Sequence, residues 1–227
     1  GCGVGGDVLH LVEFIRHGVV TRGQSGRMPE SHRQARDFLA ARVGLPPLSR
    51  LASGKPEEAE EAYQATIRVR EALTALAELY HQRLLANPDV LAWFRTKYGI
   101  GDETIARLKI GFAEDGEPSA ARTLMGGSGA FAPRELTATS AFRPTAQDGV
   151  VPFFDRRIVF PYWSRGRVVF MIGRRTPWTP DQVWEKSKYK KLAVRNERDH
   201  QHVAPCIQND VLYNEDVLLT RPERVII

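Results

Sequence analysis

The chain is poor in cysteine and contains no long run of apolar residues. Its two cysteines, Cys2 and Cys206, lie far apart in the 227 residues, so the sequence does not support a disulfide framework and favours a reducing compartment. No segment approaches the roughly 20 apolar residues that a membrane helix needs, and the first residues lack the basic start and apolar core of a signal peptide. These absences predict a soluble cytoplasmic protein without a membrane partner.

Positive charge is concentrated in one segment. The formal net charge is only +5, but the stretch from Arg156 to Lys191 contains ten basic residues and two acidic ones. Within it, the β-branched and aromatic runs Arg157–Trp163 and Arg167–Gly173 flank Ser164-Arg165-Gly166 and predict a hairpin. A sheet that fixes guanidinium groups suits a phosphate backbone, because each group donates two hydrogen bonds in a planar fork. The segment therefore favours a polyanionic partner, with nucleic acid as the first candidate.

Helical patterns occupy the amino-terminal part of the chain. Asp7 is placed to cap a helix that ends near Gly18, and Ser31 is placed to cap a second helix. The proline-rich stretch 46–56 predicts a linker, because prolines remove backbone donors and the apolar periodicity lapses there. The first 45 residues are therefore expected to form a small helical tail.

The strongest helical pattern runs from Glu57 to Leu85 and is rich in Ala, Glu and Leu. Asn87-Pro88 predicts the start of another helix, since proline is well placed in a first turn. Lys109–Phe112 is typical of an edge strand. The stretch that follows, to Gly129, is rich in Gly and Ser and is expected to be irregular. The predicted fold class is α+β: a helical tail, a linker, and a mixed α/β domain with a basic antiparallel hairpin.

Three separate segments resemble, in the same order, the bacterial DnaG-type DNA primases. Cys2-Gly-Val-Gly-Gly-Asp7, followed by an apolar helix, is similar to the end of that family's zinc ribbon of the CHC2 type. The later segments resemble the start and continuation of its RNA polymerase domain: Tyr80-His81, Leu84–Pro88, Lys109–Phe112, Arg157–Pro161, Gly173-Arg174 and Lys188-Tyr189. Each motif is weak alone, and their order makes the combination specific.

The resemblance implies a division into four parts. Residues 1–45 would be the tail of the zinc-ribbon domain, 46–56 a linker, 57–223 the amino-terminal subdomain of the polymerase domain, and 224–227 the first strand of a Toprim domain. Both ends are expected to be cut, because the family's Toprim strand continues into Glu-Gly. The Toprim acids that hold Mg or Mn are then expected after Ile227, so this fragment alone would contain no catalytic residue and be inactive. Cys2 would bind zinc only in the intact protein.

The resemblance also places basic residues in the family's shallow template groove. Arg174 and Lys188 match groove positions, which implies contacts with template phosphate or incoming nucleotide. The loop before Lys188 is longer than in the family, so Lys190 or Lys191 are expected as substitutes. Arg157 is expected either to bind template or to pair with a carboxylate of the missing part.

Two further groups of residues are candidates from their own chemistry. Arg175 belongs to the same basic segment, and Trp178 lies in a loop between prolines, where its ring could stack on an unpaired base. His200, His202 and Cys206 have conceivable metal-ligand spacing, but the polar residues before them favour a solvated loop over a metal site.

The resemblance implies a nucleotidyltransferase, a DNA-directed RNA polymerase that makes short RNA primers on single-stranded DNA during replication. Its expected partners are single-stranded template, ribonucleoside triphosphates and a replicative helicase of the primosome. The alternative is a non-catalytic module derived from a primase that binds single-stranded DNA or recruits a helicase. A topoisomerase or nuclease relative that shares Toprim is a third reading. A Glu-Gly after Ile227 and a later Asp-x-Asp would favour the polymerase.

Overall fold

Two units, residues 1–66 and 67–227, make up the chain. The computed structural model describes residues 6–21, 29–42, 56–114, 119–126, 130–146 and 149–220. Most of the predicted linker, the predicted Toprim strand and Cys2 lie outside these residues. Within the described ranges, no helix combines the length and apolar composition needed to cross a membrane.

The first unit begins with helix α1 (Val8–His17), whose ends agree with the sequence. The Asp7 carboxylate accepts a hydrogen bond from the Leu9 amide at 3.0 Å, which satisfies a free donor of the first turn. Gly18 ends the helix in the left-handed conformation with φ 69°, which glycine adopts without steric cost. The predicted cap and stop of this helix are therefore confirmed.

Helix α2 (Glu30–Arg42) is joined to α1 by a buried carboxylate, and the predicted cap at Ser31 is wrong. The helix already includes Ser31, whose hydroxyl donates to Glu13 at 2.7 Å. The amide and hydroxyl of Thr21 also donate to Glu13, and His32 Nδ1 lies 3.1 Å from it. Burial alone would raise the pKa of Glu13, but these hydrogen bonds lower it to about 2.

Five more helices follow in the part of the chain that the structure describes. They are α3 (Pro56–Leu85), α4 (Pro88–Tyr98), α5 (Asp102–Leu108), α6 (Ser119–Gly126) and α7 (Pro133–Ala138). Asn87 caps α4 by accepting from the Val90 amide at 3.2 Å, as Asn87-Pro88 predicted. Helix α6 lies in a region that the sequence predicts to be irregular. The helix forms there because Ala120 and Ala121 are buried and anchor it. Short 3₁₀ helices cover Val183–Glu185 and Glu215–Thr220.

The strands within the described ranges form two antiparallel sheets. Their bounds are β1 (Gly111–Ala113), β2 (Phe142–Pro144), β3 (Val150–Pro152), β4 (Arg157–Ser164), β5 (Arg167–Arg175) and β6 (Tyr189–Lys191). Strands β2 and β3 pair with each other, and the larger sheet has the order β1-β4-β5-β6. The predicted α+β class with a basic antiparallel hairpin is confirmed.

The β4–β5 turn is held from outside the hairpin. Arg165 and Gly166 both have positive φ, 55° and 73°, a backbone that matches the twist of the two strands. Their amides donate to the Asp216 carboxylate at 2.5 and 2.8 Å. The 3₁₀ helix that contains Asp216 is thereby fixed against the hairpin.

The edge strand β1 fits closely against α3. A Cβ on Gly111 would lie 2.6 Å from the backbone carbon of Tyr80, so only glycine permits this approach. Beside it, the buried His81 places Nδ1 2.8 Å from the Ile110 carbonyl oxygen. Tyr80 and His81 therefore act in packing and hydrogen bonding.

The larger sheet has buried side chains on both faces. Val159 and Met171 belong to the larger apolar cluster, which includes residues of α3, whereas Ile158 and Phe112 belong to a smaller cluster with residues of α4 and α5. Neighbouring residues of a strand point to opposite faces, so the two clusters lie on opposite sides of the sheet.

Candidate nucleic-acid interface

Strand register divides the basic residues between the two faces of the sheet. Side chains directly opposite each other in an antiparallel pair share a face. Arg174 is opposite Ile158 and Tyr189, and Lys191 is opposite Ile172, so Arg174, Tyr189 and Lys191 lie on one side, called here the Arg174 face. Arg157 is opposite Arg175, and Lys190 is opposite Gly173; these form the other side, called here the Arg157 face.

Arg174 is held on its face by two tyrosines. Its guanidinium carbon lies 4.7 Å from the ring centre of Tyr98 and 5.2 Å from that of Tyr189, and it donates to the Tyr189 hydroxyl. Among the described residues, no carboxylate forms an ion pair with it. Two aromatic rings fix the cation without neutralising its charge.

Lys188 contacts the same tyrosine. Its ammonium nitrogen lies 5.6 Å from the Tyr189 ring centre, and its side chain is exposed, as is that of Lys191. No described carboxylate pairs with Lys188 either. The structure therefore brings Arg174 and Lys188 together around one ring, while their contact with nucleic acid stays a prediction.

An aromatic pocket of about 300 Å³ includes Arg174 in its lining. Its lining includes Tyr98, Tyr162, Tyr189, Tyr213, Phe160 and Ile172. The Tyr213 ring packs edge-on against Tyr162, with ring centres 5.0 Å apart, and against Phe160 at 6.3 Å. Burial raises the pKa of both tyrosine hydroxyls, so each stays a neutral hydrogen-bonding group.

Trp178 belongs to a row of aromatic rings that reaches Arg174. It is 39% exposed and meets Trp93 edge to face, with ring centres 5.7 Å apart. Trp93 in turn meets Tyr98 at 5.9 Å, and Tyr98 stacks on Arg174. The loop position of Trp178 agrees with the sequence, and its stacking on a base stays a prediction.

Arg157 is a structural residue, and the prediction that it binds template is wrong. Its side chain is completely buried, and its guanidinium donates to the Glu185 carboxylate at 2.9 Å and to the Glu185 carbonyl at 2.7 Å. It also donates to the Ser187 carbonyl at 3.0 Å. The carboxylate that Arg157 was expected to find in a missing part is thus supplied by this chain.

Lys190 shares the same carboxylate, so its predicted role as a substitute for Lys188 is also wrong. Its ammonium group donates to Glu185 and, at 2.8 Å, to the Phe153 carbonyl. Burial lowers its pKa, although Glu185 acts in the opposite direction. Arg175, on the same face, pairs with the exposed Asp181 at 3.0 Å. The structure does not bring these cations together with Arg174.

The candidate metal ligands are dispersed. Within the described ranges, no group of three or more His, Cys, Asp or Glu side chains could hold a metal ion. His200 is buried edge-on against Phe153 at 4.9 Å, where burial and Arg143 lower its pKa. Cys206 is buried and His202 is exposed.

Sequence reasoning missed the pocket. Tyr98 ends α4, Tyr162 lies in β4 and Tyr213 precedes the last 3₁₀ helix, so no local pattern relates them. Tyr189 could have been found from the sequence, because it directly follows Lys188 in the Lys188-Tyr189 motif, which is a candidate for its charge.

The central part of the chain, residues 79–193, matches the family described as the N-terminal domain of the DNA primase catalytic core. The match covers slightly more than half of the 227 residues and includes the whole β1-β4-β5-β6 sheet. The chain belongs to this DNA primase family. The resemblance of the later segments to the primase RNA polymerase domain is thereby confirmed. No curated protein matches the chain.

Solved primase structures are also similar to this primase chain. The RNA polymerase domain of Mycobacterium tuberculosis primase DnaG is 25% identical, with a TM-score of 0.48 and 56% of this chain and 40% of that one covered. The Escherichia coli primase catalytic core is 26% identical, with a TM-score of 0.44 and with 59% of this chain and 40% of that one covered. The Aquifex aeolicus primase, with its zinc-binding and RNA polymerase domains, is 22% identical, with a TM-score of 0.48 and with 88% of this chain and 41% of that one covered. The chain spans about 40% of the length of these structures.

Proposed function

We propose that this chain is the part of a DNA primase that holds the single-stranded template while short RNA primers are made. Family membership supports the enzyme class, and the Arg174 face supports the role in binding. The proposed functional part is residues 57–223, the amino-terminal subdomain of the polymerase domain.

The arrangement around Arg174 is the observation that carries the proposal. A guanidinium group has five N–H donors, and only the bond to the Tyr189 hydroxyl is made here among the described residues. The remaining donors can reach a phosphate in a planar, bidentate geometry. Lys188, whose ammonium group lies over the same Tyr189 ring, and Lys191, on the same face of the sheet, are exposed and add charge without a fixed direction.

The proposed reaction joins ribonucleotides by attack of a 3′-hydroxyl on an α-phosphate. Divalent ions held by carboxylates of a Toprim segment would activate the hydroxyl and shield the leaving pyrophosphate. Arg174 would hold a template phosphate, and Lys188 and Lys191 would neutralise the strand or the incoming triphosphate. Zinc at Cys2 and a replicative helicase partner remain proposals for the intact protein.

The first test measures the affinity of the chain for a fluorescent oligothymidylate. Arg174→Ala combined with Lys188→Ala is expected to weaken binding about 30-fold, since two phosphate contacts of about 1 kcal/mol each are lost. The matched control combines Arg122→Ala with Arg134→Ala, which removes two exposed cations from α6 and α7. Equal losses in the two double variants would contradict the proposed groove.

A second test concerns catalysis by a protein that carries this chain together with the proposed Toprim segment. Arg174→Ala with Lys188→Ala is expected to abolish primer synthesis on single-stranded DNA while circular dichroism stays unchanged. If that protein binds single-stranded DNA but makes no primers, the result would instead favour the non-catalytic binding module.

A further inference from the structure

We propose that the aromatic pocket beside Arg174 receives one unpaired base of the bound strand. The pocket is the space lined by Tyr98, Tyr162, Tyr189, Tyr213, Phe160 and Ile172. This inference rests on the proposed binding of single-stranded DNA and adds a base contact to the phosphate contact. The ligand is a nucleobase within a polynucleotide chain, and the pocket is expected to accept any of the bases.

The size and accessibility of the pocket suit a base. Its volume of about 300 Å³ is at the lower end of the range for small-ligand sites. Tyr189 and Tyr213 are 43% and 38% exposed, so two of the walls are open to solvent. The other lining rings are partly buried in the fold, which holds them in place.

The chemistry of the lining favours a base attached to phosphate. Among the described lining residues, Arg174 alone is charged and no carboxylate is present. Aromatic faces bind any base by stacking, and a neighbouring cation binds the phosphate that follows it. An apolar peptide segment would fill the same space but would leave Arg174 without an anionic group.

The rings also offer polar contacts to a base edge. The hydroxyls of Tyr162 and Tyr213 belong to rings whose centres are 5.0 Å apart, and each hydroxyl can both donate and accept a hydrogen bond. Both roles fit the mixed donors and acceptors of every base, so the pocket is expected to bind bases with little preference.

The test compares oligothymidylate with an abasic strand of the same length and charge. Tyr213→Ala is expected to weaken thymidylate binding about 5- to 150-fold, the range for loss of one stacked base, and to change abasic-strand binding less than about twofold. Tyr213→Phe, which keeps the ring, is expected to restore most of the affinity. Tyr63→Ala is the matched control, because Tyr63 is 37% exposed and lies outside the pocket.

The outcomes separate this inference from the proposed function. If the unmodified chain binds neither strand, the proposed template binding fails. If it binds both strands and Tyr213→Ala weakens them equally or not at all, only the base pocket is overturned.

Photo-crosslinking of a bromouracil-substituted strand to the unmodified chain provides a second measurement that does not depend on a variant. Adducts on Tyr98, Tyr162, Tyr189 or Tyr213 are expected. Adducts confined to other residues would overturn the inference.

Discussion

Glu185→Gln tests the buried ion pair that fixes the 3₁₀ helix Val183–Glu185 to strand β4. The change keeps the size of the side chain and removes the negative charge that Arg157 and Lys190 share. The side chains of Arg157 and Glu185 are 0% and 3% exposed, so water cannot replace the lost charge. Lys190 can release its proton, because burial already lowers its pKa, whereas Arg157 stays charged.

The expected loss is about 3–5 kcal/mol in the free energy of unfolding, the usual cost of leaving one buried charge without its partner. For a unit of this size it corresponds to a fall of about 6–20 °C in melting temperature. Denaturant titration followed by tryptophan fluorescence measures it. Asp181→Asn breaks the exposed pair with Arg175 and is expected to cost less than about 1 kcal/mol. A loss for Glu185→Gln as small as that control would refute the reasoning.

Two further predictions concern other parts of the fold. Gly111→Ala is expected to destabilise the second unit by about 1–3 kcal/mol, because the added methyl group meets the backbone of Tyr80. Thermal unfolding measures this loss. Gly126→Ala is the control: the space around Gly126 is open, so this change should not produce the same loss of stability. Glu13 is expected to titrate near its lowered pKa of about 2, so its stabilising contribution is complete above about pH 4.5 and is lost as the pH falls toward 2. Carboxyl NMR measures that midpoint, and a value near 4.5 would show that the hydrogen bonds from Thr21 and Ser31 are absent in solution.

Local signals in the sequence predicted most elements, because their causes are local. Asp7 and Gly18 bound α1, and Asn87-Pro88 starts α4, since caps depend on a few neighbouring residues. Ser31 has the same cap chemistry, but its hydroxyl binds Glu13, 18 residues earlier in the chain. The Gly and Ser residues around helix α6 predict an irregular region. The helix forms nevertheless because its alanines are buried, and that burial depends on the tertiary fold.

The candidate site could be predicted only in part. Alternation along a strand already separates Arg174 from Arg175, so their placement on opposite faces can be read from the sequence. Whether Lys190 or Lys191 lies on the Arg174 face depends on the register of β6 against β5, which no local pattern specifies. The burial of Arg157 depends on Glu185, whose position in the fold comes from a loop and a 3₁₀ helix.

The salt dependence of single-strand binding tests the central claim most directly. The logarithm of the binding constant is expected to fall linearly with the logarithm of salt concentration, with a slope of about −0.7 for each phosphate contacted. Arg174→Ala with Lys188→Ala should make that slope shallower by about 1.4, because two contacts are removed. An unchanged slope in the double variant, or binding that does not respond to salt, would contradict the assignment of the Arg174 face to template binding.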